Sequence, residues 1–161
     1  MACLSGCGYR LVGTADVLPT RIRTIAVPAF ENATAEFKVE QYLTQAVVTE
    51  ILARTRYQVI ANDDHADATL RGKVVLFDAV PQNFDPRTGR ATSVLTITRV
   101  HVALYDLKDG KELYLNPDLT HRETHEVSAD PNAYVNERDV ALQRASRTMA
   151  STLVSAILSG F

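Results

Sequence analysis

Side chains with the types and spacing to do chemistry are few in this sequence, and the first of them is a thiol. Cys3 and Cys7 are the only cysteines, and both fall within the first seven of 161 residues. That placement excludes a disulfide-stapled fold, whose cysteines are spread through the chain, and a zinc site, which needs further Cys or His at set spacings. Leu4-Ser5-Gly6-Cys7 runs apolar, small, small, cysteine. A lipoprotein signal peptidase needs small side chains beside the scissile bond, and the Cys7 thiol would first accept a diacylglyceryl thioether. Cleavage would leave Cys7 as the new N-terminus. Acyl chains at about 0.8 kcal/mol per buried CH₂ would then hold the protein on a membrane. Only Met1-Ala2-Cys3 precede the motif. An export leader has a basic start and an apolar stretch of about 7–15 residues, so it is expected to begin further upstream. The plainer alternative is a small-residue tail with a free thiol.

The second group is His121, Glu123 and His125. On a strand these alternate positions share one face, so two imidazoles and a carboxylate could converge on iron or zinc. Alternate residues on one strand are about 6.5–7 Å apart, too far to clamp one ion without a bulge. The competing reading is a polar stripe on the solvent side of a half-buried antiparallel strand, which needs no metal. The third group is Phe84-Asp85-Pro86-Arg87-Thr88-Gly89-Arg90, an aromatic and two guanidiniums in a turn-forming run. Arg grips phosphate and carboxylate bidentately, so Arg87 and Arg90 are candidates for an anionic lipid and Phe84 for a partner contact. The ordinary alternative is a solubilising hairpin loop. Asp63, Asp64 and Asp67 cluster at another turn and read as a solvated loop. There is no Gly-x-Ser-x-Gly elbow, phosphate-cradling glycine loop or His-Glu-x-x-His, so no active site stands out.

The elements that must position these groups follow from periodicity. Alternation over residues 21–28 predicts a strand with Ile22, Ile25 and Val27 inward, stopped by Pro28. Residues 36–54 carry Phe37, Val39, Leu43, Ala46, Val47 and Ile51 at helical spacing. A short strand at 57–60 and a turn at 61–65 follow. Residues 68–80, with Leu70, Val74 and Leu76 on one face, and 92–107 then form a long antiparallel hairpin around the 85–89 turn. Lys108-Asp109-Gly110-Lys111 makes a second tight turn, returning into strands at 112–115 and 118–127. Asp130-Pro131-Asn132 breaks the sheet. A helix over 137–158 buries Leu142, Ala145, Met149, Leu153 and Ala156, and Gly160 stops it.

This order predicts an α+β fold, with two helices packed on one face of a mixed, mainly antiparallel β-sheet. Residues 1–6 would be a signal-peptide remnant, 7–20 a lipid-anchor tether and 21–161 a single domain. Hydrophobic residues make up 46% and charged residues 22%, ordinary for a globular chain. A net charge of −2 argues against a nucleic-acid binder, and no apolar run is long enough to span a bilayer.

Cys7-Gly8-Tyr9-Arg10-Leu11 resembles the mature start of the LptE family of lipopolysaccharide-assembly lipoproteins. The resemblance continues through Ile25-Ala26-Val27-Pro28-Ala29-Phe30-Glu31-Asn32 and Glu40-Gln41-Tyr42-Leu43-Thr44. It extends over Arg54-Thr55-Arg56-Tyr57-Gln58-Val59, Ala66-Asp67-Ala68-Thr69-Leu70-Arg71-Gly72 and the C-terminal helix. It implies a lipid-anchored protein on the periplasmic face of the outer membrane. Such a protein plugs an outer-membrane β-barrel of the LptD kind, helps it assemble and supports lipopolysaccharide delivery to the outer leaflet. No catalysis and no cofactor are implied. A stand-alone lipid- or glycan-binding envelope lipoprotein is the alternative, and it would need an apolar pocket.

Overall fold

The computed structural model describes residues 18–127 and 134–159. In chain order the elements are β1 (Thr24–Ala26), β2 (Glu31–Asn32), α1 (Val39–Arg54), β3 (Gln58–Ile60), β4 (Ala68–Phe84), β5 (Ala91–Asp106), β6 (Glu112–Glu126) and α2 (Tyr134–Ser159). The sheet runs β3-β1-β4-β5-β6, with β2 also pairing β4. β1 is parallel to β3 and β4, whereas β4, β5 and β6 form an antiparallel meander. The expected α+β architecture is present.

The core lies between the helices and one sheet face. α1 contributes Val39, Leu43, Val47 and Ile51, and α2 contributes Leu142, Met149, Leu153 and Val154. They pack on Ile25, Leu70, Val74, Val100, Val102 and Leu104 of the strands. In α1 the apolar positions recur every three or four residues, which makes one buried stripe. The Phe30 ring packs against Gly72, and a Cβ there would overlap it. The Phe30 N–H donates to Thr44 Oγ1 of α1 at 2.9 Å, which ties the β1–β2 connection to the helix.

Where the elements depart from expectation, the cause is local. α1 starts at Val39 because Lys38, at φ 67°, is left-handed and cannot lie within a right-handed helix. β4 runs four residues past Val80 and takes in Pro81. That is possible because β1 and β2 pair only with Ala68, Thr69, Lys73 and Val74, so the distal side of β4 is an edge that needs no donor. The expected strands at 112–115 and 118–127 are one strand, β6, with Pro117 and Asp118 absorbed where the register to β5 slips. Leu76 does not share a face with Leu70 and Val74. A bulge between Val74 and Leu76 sets Leu76 opposite Arg99 and brings Phe77 opposite Thr98 on the helix-covered side. Ala156 is only partly buried. The expected break at 130–132 and the stop at Gly160 lie outside the described residues.

Candidate functional site

β4 and β5 carry the hairpin tip away from the helices. Beyond Val74, the last residue paired to β2, β4 continues ten positions to Phe84, about 33 Å at strand rise. Phe84 pairs with Ala91 to close the ladder. Asp85 organises the loop through three bonds. Its N–H donates to the Arg90 carbonyl at 2.9 Å, its carbonyl accepts from Gly89 N–H at 2.8 Å, and its Oδ1 accepts from Arg87 N–H at 2.8 Å. Gly89 takes φ 67°, a conformation L side chains avoid. With the backbone satisfied by Asp85, the side chains of Arg87 and Arg90 are left exposed, and Phe84 is 58% exposed. Among the described residues neither arginine has an ion-pair partner. The fold therefore brings Phe84, Arg87 and Arg90 to one end of the molecule, where two guanidinium forks and an aromatic ring face solvent. Such a group can bind a phosphorylated or carboxylated amphiphile.

His121, Glu123 and His125 pair with Thr98, Thr96 and Val94, which puts all three on the helix-covered side of β6 rather than the open side. They are half-buried. Glu123 Oε2 lies 3.4 Å from Thr148 Oγ1 of α2. Among the described residues no three His, Cys, Asp or Glu side chains gather as a metal-binding group, this trio included. Cys7 lies outside the described residues.

The acidic turn is not merely solvated. Asp67 Oδ2 accepts from Arg23 N–H at 2.8 Å and Thr24 N–H at 2.9 Å, which holds its carboxyl below the usual range. Asp63 is held low by the neighbouring Thr69 hydroxyl and by Arg71, whose Nη2 lies 2.7 Å from Oδ2. These carboxylates fasten the start of β4 to its surroundings. Sequence reasoning missed a larger fastening. Asp106, 1% exposed, accepts from Nη1 and Nη2 of Arg21. The Asp-Leu-Lys-Asp-Gly run signalled the turn at this point, but nothing in it pointed to Arg21. The apolar crevice lined by Leu18, Ile51, Tyr57, Val154 and Ile157 has room for no more than one water, so it is not an acyl-chain pocket. No helix among the described residues is long and apolar enough to cross a membrane.

The architecture is that of a small α+β domain seen in bacterial lipoproteins. Rare lipoprotein B from Shewanella oneidensis superimposes with TM-score 0.55 over 85% of this chain and 95% of its own, at 14% identity. PelC from Paraburkholderia phytofirmans, solved as a dodecamer, gives 0.56 over 86% and 89%, also at 14% identity. The hypothetical protein CT253 from Chlamydia trachomatis gives 0.53 over 86% and 99%, at 9% identity. At such identities the likeness is one of fold. No curated protein matches the chain significantly in sequence. The chain belongs to the LptE family, described as lipopolysaccharide-assembly, whose profile matches residues 22–157. Its role lies in lipopolysaccharide assembly, as a member of a family of assembly lipoproteins.

Proposed function

We propose that this protein is an outer-membrane lipoprotein, anchored through Cys7 on the periplasmic face, that plugs and helps assemble a β-barrel lipopolysaccharide translocon of the LptD kind. The observation that carries this reading is the family match across residues 22–157. The shape of the molecule supports it. Ala68 pairs with Asp106 at one end of the long hairpin and Phe84 with Ala91 at the other. Arg21, close to the start of the described residues, binds Asp106 at the end opposite the tip, and a tether preceding it would lead from that end. An anchor at one end leaves Phe84, Arg87 and Arg90 free to reach into a partner or to meet lipopolysaccharide phosphates. The domain does this by binding and positioning, without a reacting group.

The test is purification of the full-length protein from gently solubilised envelopes. Co-purification of an outer-membrane barrel in stoichiometric amount is expected. Recovery of free monomer alone would overturn the plug reading. Mass spectrometry of the same material should find acyl chains on Cys7, and an unmodified thiol there would remove the anchor.

A further inference from the structure

α2 is one continuous helix, but its two halves differ in what they bury. From Met149 onward it buries Met149, Ala150, Leu153, Val154 and Ile157. Between Arg138 and Arg147 the buried residues are Leu142, Ala145 and Ser146, of which only Leu142 is large and apolar. The sheet changes in the same way. The row Val74–Val100–Leu119 is apolar, whereas the next rows on that face are Phe77–Thr98–His121 and Ala79–Thr96–Glu123. Thr96 and Thr98 are 3% and 2% exposed, and among the described residues neither Oγ1 has a hydrogen-bond partner. Buried hydroxyls without partners destabilise the closed arrangement, and water reaching them removes that penalty.

The boundary between the halves has its own feature. Thr148 Oγ1 donates to the Arg144 carbonyl at 3.1 Å, and Thr152 Oγ1 donates to the Thr148 carbonyl at 2.9 Å. Two successive hydroxyls bonding back onto the helix compete with its own ladder and favour a bend there. Arg138 ties the first half to the segment leading into α1: its Nε donates to Glu36 Oε1 at 2.9 Å and its Nη2 to Glu36 Oε2 at 2.8 Å, and with Arg138 72% exposed the pair is open to screening by salt. Thr148, at the boundary itself, lies 3.4 Å from Glu123 Oε2.

We propose that residues 138–147 of α2 form a lid that swings off the distal face of β5 and β6 about Thr148, while residues 149–159 stay docked. Opening hydrates Thr96 and Thr98 and uncovers the helix-facing sides of His121 and Glu123. The polar floor is what makes the lid separable: a leucine and valine floor would weld it to the core.

Native-state amide hydrogen exchange on the full-length protein tests this. Amides of 138–147 are expected to exchange at least about tenfold faster than those of 149–157, as a contiguous opening unit. The double variant Thr96→Val, Thr98→Val removes both hydroxyls and keeps β-branched side chains suited to a strand. It should slow the 138–147 amides selectively, toward the rate of 149–157. Fraying of the helix start would not respond to side chains on β5. One common rate for both halves, or a rate ratio unchanged in the double variant, would overturn the proposal.

Discussion

Arg21 lays Nη1 and Nη2 of its guanidinium on the carboxylate of Asp106, 85 positions later in the chain, and its Nη2 also reaches Asp109 Oδ2 at 2.7 Å. Asp106 Oδ1 accepts in addition from Lys108 N–H at 2.9 Å. One carboxylate thus joins the segment entering the domain to the turn between β5 and β6.

That bond predicts an acid dependence of stability. The Arg21 hydrogen bond holds the Asp106 carboxyl below its ordinary 3.8, and Asp67 and Asp63 are lowered as well. A folded value below the unfolded one means the unfolded chain binds protons first as pH falls. The stabilisation is therefore complete above the ordinary carboxylate range and is lost from about 3.8 downward, through the folded values. Denaturant midpoints measured from pH 7 to pH 2 should fall steeply at the acid end. In Asp106→Asn the wild-type excess at neutral pH should be gone and the acid slope shallower. A variant slope equal to the wild-type slope would remove Asp106 from the account.

Gly72 has no space for a side chain because Phe30 occupies it. Gly72→Ala should destabilise by about 1–3 kcal/mol through overpacking. Phe30→Ala should cost about 3–5 kcal/mol as a cavity. Since one residue fills the space the other leaves, the double variant should be less destabilised than the sum, by about 0.5–3 kcal/mol. Urea denaturation of the four proteins in the cycle measures the coupling.

Thr44 accepts the Phe30 N–H and donates to the Glu40 carbonyl at 2.6 Å. Thr44→Val keeps the shape and removes the acceptor, leaving a half-buried amide unpaired at a cost of about 1–3 kcal/mol. Thr44→Ser keeps the acceptor and should stay within about 0.5 kcal/mol of wild type. Thermal or urea unfolding of the pair distinguishes the hydrogen bond from the methyl group.

At the tip, Arg87→Ala with Arg90→Ala should leave stability within about 0.5 kcal/mol, because both side chains are exposed. Binding to purified lipopolysaccharide should weaken about tenfold or more, the scale of one lost charge-assisted bond, and the residual binding should depend less on salt. Unchanged affinity would place the contact elsewhere. Gly89→Ala, strained at φ 67°, should disturb binding by misplacing both arginines although it adds no bulk at the contact.

Much of this molecule is written in local pattern. The apolar stripe of α1, the alternation of β5 and the Asp-Pro-Arg-Thr-Gly and Asp-Gly turns each follow from side-chain period or turn chemistry within a few residues. So do the exposed loop bearing Arg87 and Arg90 and the α+β order of elements. The shared face of His121, Glu123 and His125 was legible for the same reason, because alternation needs no knowledge of the partner strand.

What the tertiary structure alone decided is which face those patterns meet. A bulge after Val74 turned Leu76 outward and Phe77 inward, and the register of β6 put the histidine stripe under α2 instead of in solvent. Arg21 found Asp106, Phe30 found Gly72, and Thr96 and Thr98 were sealed on the helix-facing side with no hydrogen-bond partner among the described residues. Each of these is a contact between segments far apart in the chain. Local periodicity states that a side chain is polar or apolar; it does not name its neighbour. That is fixed when sheet register and helix docking close the core, and it separates the first half of α2 from the second.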